Sequence, residues 1–140
     1  MKQVIYLVAL FLMTGSCASK TQENSSDSQV TQTQAQIQNL DAVEFKAKIE
    51  SAKGTILDVR TPGEVAQGYI AEAVVLDMYR PDFTSKLAQL PKDKPVYVYC
   101  ASGVRSIQTA QILQQNGFKE VYNLNKGIMD WYRNGFPVVR

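Results

Sequence analysis

The chain has 140 residues, 45% of them hydrophobic and 20% charged, an ordinary globular balance for one domain plus flanking sequence. A net charge of +2 points to no nucleic-acid or strongly acidic partner. The absence of histidine excludes Ser-His-Asp and Cys-His catalysis and removes the commonest metal ligand, and two cysteines are too few for a disulfide framework.

Lys2 is followed by an unbroken apolar run at residues 4–13. A membrane-spanning helix needs roughly 20 apolar residues, so this run suits the hydrophobic part of an export signal instead. Thr14, Gly15, Ser16 and Cys17 come next. The arrangement resembles a bacterial lipoprotein signal, although Thr14 stands where that class usually has Leu. The resemblance implies that residues 1–16 are cleaved off and that Cys17 is lipidated. Cleavage after Ala18 is the alternative, since Ser16 and Ala18 satisfy the small-x-small rule. Export is expected on either reading. The lipidated form would sit in the bacterial cell envelope, anchored to a membrane and facing the periplasm.

Residues 17–38 are rich in Gln, Ser and Thr, with Val30 and Ile37 the only large aliphatic residues. Such a segment buries too little apolar surface to offset its ordering entropy, so a disordered tether spanning roughly 25 Å is expected. The folded domain is placed at residues 39–140.

Asp41 and Glu44 have capping-box spacing, and Phe45 and Ile49 share the face of the helix that follows, which Gly54 ends. Short apolar runs at 55–59, 74–76, 95–99 and 121–124 read as strands, the first of them buried. Helices are expected at 82–90, with Phe83, Leu87 and Leu90 on one side, and at 105–115, with Ile107, Ala110 and Leu113 facing inward. Asn116 and Gly117 supply a left-handed stop against which Phe118 folds back. A short helix at 128–133 completes the pattern. Alternating units of this length predict an α/β fold: a central parallel sheet of about five strands with helices on both faces. Sites in such sheets lie at the carboxyl ends of strands.

One strand runs directly into Cys100, Ala101, Ser102, Gly103, Val104, Arg105 and Ser106, and then into a helix. The first N–H groups of that helix lack intrahelical partners, its dipole favours negative charge, and Arg105 adds a cation. These features predict a Cys100 thiol with a lowered pKa, in a loop that Gly103 lets fold around an anion. The bland alternative is a buried cysteine acting as a small hydrophobe.

Cys100-x-x-Gly103-x-Arg105-Ser106 resembles the active-site loop of rhodanese-like sulfurtransferases. Leu57-Asp58-Val59-Arg60-Thr61-Pro62-x-Glu64 with Gly68-Tyr69-Ile70 is similar to that family's upstream signature. Gly127, Trp131, Gly135, Pro137 and Val138 are similar to its closing one. The chain departs from the family where Tyr69 stands for a frequent His, Ala71-Glu72-Ala73 for x-Gly-Ala, and Lys126 for a first glycine. Four residues separate Cys100 from Arg105, where related phosphatases and arsenate reductases usually have five.

The resemblance implies a rhodanese-like fold and a sulfurtransferase. Cys100 would take sulfane sulfur from a donor such as thiosulfate, hold it as a persulfide, and pass it to cyanide or a thiol. Backbone N–H groups of residues 101–106 would stabilise the outer sulfur. Arg105 would either contact a substrate anion, the reading given slight preference, or brace the loop by pairing with a carboxylate. Asp58 and Arg60 follow a strand end and can face the same rim. Arg60 and Glu64, four apart, form either a surface ion pair or part of what positions the loop. Trp131 and Phe136 are expected in the core or a pocket wall. With Cys17 lipidated, Cys100 would be the one free thiol, so a thiol reductant protein is an expected partner. No cofactor, metal or nucleic acid is expected, and a monomer is. The competing classes are a partner-binding module without catalysis and a thiol redox sensor.

Overall fold

The computed structural model describes residues 36–140. The expected signal at 1–16, the lipidation site Cys17 and nearly all of the expected tether lie outside the described residues.

Five strands and five helices alternate: β1 (Ile37–Leu40), α1 (Ala42–Ser51), β2 (Thr55–Asp58), α2 (Pro62–Val65), β3 (Val74–Val75), α3 (Phe83–Leu87), β4 (Val96–Tyr99), α4 (Val104–Gln115), β5 (Val121–Leu124) and α5 (Gly127–Arg133). The strands form one parallel sheet in the order β1-β5-β4-β2-β3. The expected sheet of about five strands is therefore present, with β4 at its centre.

Side chains on β4 alternate between two apolar layers, as the period-2 pleat requires. Val96, Val98 and, just past the strand, Cys100 join Leu57, Phe83, Leu87, Ala110, Leu113 and Phe118 in the layer covered by α3 and α4. Tyr97 and Tyr99 join Phe45, Tyr122, Leu124, Ile128 and Trp131 in the layer covered by α1 and α5. Here Trp131 is a core residue, packed edge-on against Phe45 and Phe136, and its indole N–H donates to the Pro137 carbonyl at 2.9 Å.

The local signals form as read. The Asp41 carboxylate accepts from the Glu44 N–H at 2.9 Å, and Glu44 accepts in return from the Asp41 N–H. Gly117 has φ +82, and the buried Phe118 donates its N–H to the Leu113 carbonyl at 3.2 Å.

One boundary differs from the sequence reading. Ile37 and Gln38, assigned to the tether, belong to β1, where they pair with Val121 and Tyr122. The partner strand lies far along the chain, and two of the four β1 residues are polar and exposed, so local hydropathy carries no trace of the pairing.

Candidate active site

Cys100 follows β4 directly, and Gly103 caps α4 in the left-handed region with φ +98. A second segment clamps this loop. The Ile128 N–H donates to the Cys100 carbonyl at 2.8 Å and the Met129 N–H to the Ala101 carbonyl at 3.2 Å. Two glycines permit the approach. A Cβ on Gly103 would stand 1.8 Å from the Asn125 carbonyl oxygen, and one on Gly127 would stand 2.3 Å from that of Ala101.

A trans peptide points its C=O and the next N–H in opposite directions. Drawing the Ala101 carbonyl toward α5 therefore turns the Ser102 N–H the other way, toward the Cys100 sulfur. The Gly103 N–H donates to Sγ at 3.1 Å, and the Ser106 hydroxyl lies 3.5 Å from Sγ and 3.1 Å from the Gly103 carbonyl. Burial pushes the Cys100 pKa up. The Ser106 hydroxyl and the N–H groups of Ser106, Ser102 and Gly103 outweigh it, and the thiol lies below its ordinary pKa. That distinguishes Cys100 from a cysteine that merely fills core space, whose pKa burial would raise.

The sulfur itself is covered, since Cys100 has no solvent-exposed surface. A reactant reaches it only when the surrounding side chains give way.

Not all of residues 101–106 face the sulfur. Ser102, Gly103 and Ser106 supply the contacts, Ala101 turns its carbonyl to α5, and Val104 opens the helix as an exposed side chain. Arg105 turns away, to Glu64. Its two terminal nitrogens donate to the two Glu64 carboxylate oxygens at 2.9 and 2.5 Å. Of the two readings of Arg105, the pairing with a carboxylate is the one formed here. The hydrogen bonds from Arg105 hold Glu64 down at a pKa of about 2 against partial burial, helped by the Thr61 hydroxyl and N–H.

The Arg60–Glu64 side-chain ion pair also does not form, because Arg60 has a nearer and fully buried partner. Its Nε donates to both Asp58 oxygens at 2.9 and 3.0 Å, and one terminal nitrogen reaches Asp58 at 2.6 Å. Two further guanidinium donors meet the carbonyls of Glu64 at 3.2 Å and Gly68 at 2.9 Å. Burial lowers the Arg60 pKa, but the hydrogen bond and charge of Asp58 more than reverse that. Asp58 and Arg60 are therefore buried and fasten the turn that carries α2. Glu64 on α2 reaches across to Arg105 on α4.

Tyr79 was not singled out from the sequence. Its ring centroid lies 5.8 Å from the Arg105 guanidinium carbon, and the side chain is 70% exposed. A lone aromatic among Asp77, Met78, Arg80 and Pro81 carries no periodic signal that would mark it. A cavity of about 380 Å³ beside Gly54, Ile56, Tyr97 and Lys94 opens at the opposite ends of β2 and β4 and includes none of the candidate residues.

Comparison with known proteins agrees with this geometry. Residues 41–134 match the family described as Rhodanese-like domain. The chain belongs to that family. Over 104 residues it is 36% identical to a protein named Sulfurtransferase from Allochromatium vinosum, an alignment covering 74% of this chain and 95% of the relative. Over 96 residues it is 40% identical to Thiosulfate sulfurtransferase GlpE from Coxiella burnetii, covering 69% and 85%. Among solved structures, a rhodanese-like domain protein from Staphylococcus aureus superposes with a TM-score of 0.62 at 31% identity, covering 74% of this chain and 99% of that one. The Cys100 loop, the Asp58–Arg60 turn and Trp131 all fall inside the rhodanese-like segment.

Proposed function

We propose that this rhodanese-like domain is a sulfurtransferase and that Cys100 is its nucleophile. The observation that carries the reading is the set of donors converging on Sγ, which favours a thiolate at the end of the central strand. The relatives named as sulfurtransferases support the same chemistry.

In the first step the Cys100 thiolate attacks the outer sulfur of a sulfane donor. With thiosulfate, the S–S bond breaks, sulfite leaves with its electron pair, and Cys100 becomes a persulfide anion. The N–H groups that now face Sγ are placed to stabilise charge there. In the second step cyanide or a thiolate attacks the outer sulfur and carries it off, and the Cys100 thiolate returns. The exchange needs no external oxidant.

The same proposal includes export, lipidation at Cys17 and a monomer held at the periplasmic side of an envelope membrane, with a thiol reductant keeping Cys100 usable. Incorporation of labelled fatty acid that disappears in Cys17→Ser tests the anchor.

The decisive assay supplies thiosulfate and cyanide and measures thiocyanate beside a Cys100→Ala control. Turnover lost in the variant supports the proposal. A folded, reduced protein that takes sulfur from no donor overturns it. Mass spectrometry of Cys100 from cell envelopes separates transfer from redox sensing, as a persulfide adds about 32 Da and a sulfenic acid about 16 Da.

A further inference from the structure

At the end of the sheet opposite Cys100, the turn after Ile70 carries a backbone outlier. The Ala73 N–H donates to the Ile70 carbonyl at 3.2 Å, and Glu72, the third residue of that turn, has φ +66. A left-handed third position suits glycine, which has no Cβ to strain. Glycine is what the rhodanese-like upstream signature frequently has at this place. Among the described residues Glu72 is the one non-glycine with positive φ. A side chain kept at such a position calls for a use that offsets the strain.

Glu72 lines two adjoining cavities, of about 380 and 340 Å³, which also share Ile49 and Ile56. The first adds Lys53 and Lys94 to its walls. Neither lysine nor Glu72 has a side-chain hydrogen bond or ion pair among the described residues. The second adds Ile70, Trp131 and Pro137, and its other two charges, Lys46 and Glu50, pair with each other across one turn of α1. Along the groove stand two unpaired cations, then one unpaired carboxylate, then an apolar trough. Exposed lysines without partners are ordinary by themselves. These two share a cavity with a carboxylate that the backbone holds against its own preference.

We propose that this groove binds a free α-amino acid with an aliphatic or aromatic side chain. Its carboxylate goes to Lys53 and Lys94, its ammonium to Glu72, and its side chain along Ile49, Ile56, Ile70 and Trp131. Such a ligand carries both charges on one carbon beside an apolar group. A fatty acid leaves Glu72 without a counter-charge, an apolar amine leaves the two lysines without one, and either end of a peptide supplies only half of the match. Both cavities fall in the range of roughly 300–1,000 Å³ usual for small-ligand sites, where an apolar lining carries a few placed polar groups. The binding changes no covalent bond and is independent of sulfur transfer at Cys100.

Trp131 is the only tryptophan in the chain, so its emission reports on the apolar end of the groove. L-leucine and L-phenylalanine are titrated into the full chain, followed by Trp131 emission and by the amide NMR signals of Gly54 and Ala73. Saturable shifts are expected. Leucinamide lacks the carboxylate and N-acetyl-leucine lacks the ammonium. Each is expected to bind about five-fold more weakly than L-leucine, the scale of one exposed charge contact. Lys53→Gln with Lys94→Gln should weaken L-leucine by a similar factor and leave leucinamide unaffected. Glu72→Gly should also weaken L-leucine, leave N-acetyl-leucine unaffected, and be no less stable to urea than the wild type, since glycine suits the turn.

No saturable shift in either readout with either amino acid at millimolar concentration overturns the proposal. Leucinamide or N-acetyl-leucine binding as tightly as L-leucine does so too, because the charges then go unread. Full affinity in Glu72→Gly overturns it by leaving the carboxylate to solvent. A Glu72→Gly protein that unfolds more easily than the wild type overturns it by assigning that side chain to the fold.

Discussion

The α-carbon of Gly103 rests against the Asn125 carbonyl so closely that a Cβ there would stand 1.8 Å from the oxygen. With φ at +98, the position is closed to larger residues both by its backbone and by its neighbour. Gly103→Ala is expected to cost about 3 kcal/mol or more and to move the N–H away from the Cys100 sulfur, slowing alkylation. Gly63→Ala is the control: nothing lies within 4 Å of its would-be Cβ, in α2, and the change should fall within about 1 kcal/mol of neutral. Denaturant unfolding beside iodoacetamide rates checks both.

Asp58 and Glu64 each pair with an arginine, and the two losses should differ greatly. Asp58→Asn strips the counter-charge from Arg60, which is 3% exposed, and should cost about 3–5 kcal/mol. Glu64→Gln breaks a pair whose side chains are 17% and 32% exposed, where water screens much of the attraction, and should cost about 1 kcal/mol or less. Urea midpoints at unchanged slope measure the contrast. Equal losses would mean that Arg60 is not held as the structure has it.

These pairings show where the sequence was legible. Asp41 and Glu44 lie three residues apart, and the capping box their spacing predicts is formed. The run from β4 into Cys100 and α4 was equally plain, because strand, loop and helix are contiguous there. For Glu64 the spacing left two readings open, since it offers Arg60 four residues before it. Yet Asp58, at the end of β2, takes Arg60 from two residues away, and Glu64 pairs with Arg105, 41 residues on. Tyr79 over Arg105 and Ile37 beside Val121 are likewise contacts made by the fold alone.

Ser106 should set the pH at which Cys100 becomes reactive. Removing its hydroxyl in Ser106→Ala deletes the largest influence lowering the Cys100 pKa, so the midpoint of iodoacetamide alkylation against pH should move upward. Stability follows the same linkage. A thiol whose folded pKa is depressed adds stability fully present above its unfolded pKa of about 8.5, and lost as pH falls through the folded value. Between those two pKa values the wild type should therefore gain stability over Cys100→Ser as pH rises. Parallel curves for the two proteins would show that the thiol is not perturbed.

Glu64 gives the corresponding test in acid. With its folded pKa near 2, its contribution is complete above the unfolded value of about 4.3 and drains away as pH falls between the two. Arg105 is the main cause, so Arg105→Gln should bring the Glu64 carboxyl back toward the ordinary range and remove that part of the acid slope. Asp82, held low by Arg80 and Lys86, titrates in acid in both proteins, so the difference between wild type and variant isolates Glu64. Carbon NMR of the Glu64 carboxyl against pH reads the shift directly. A Glu64 that titrates in the ordinary range in the wild type would mean that Arg105 does not hold it as the structure has it.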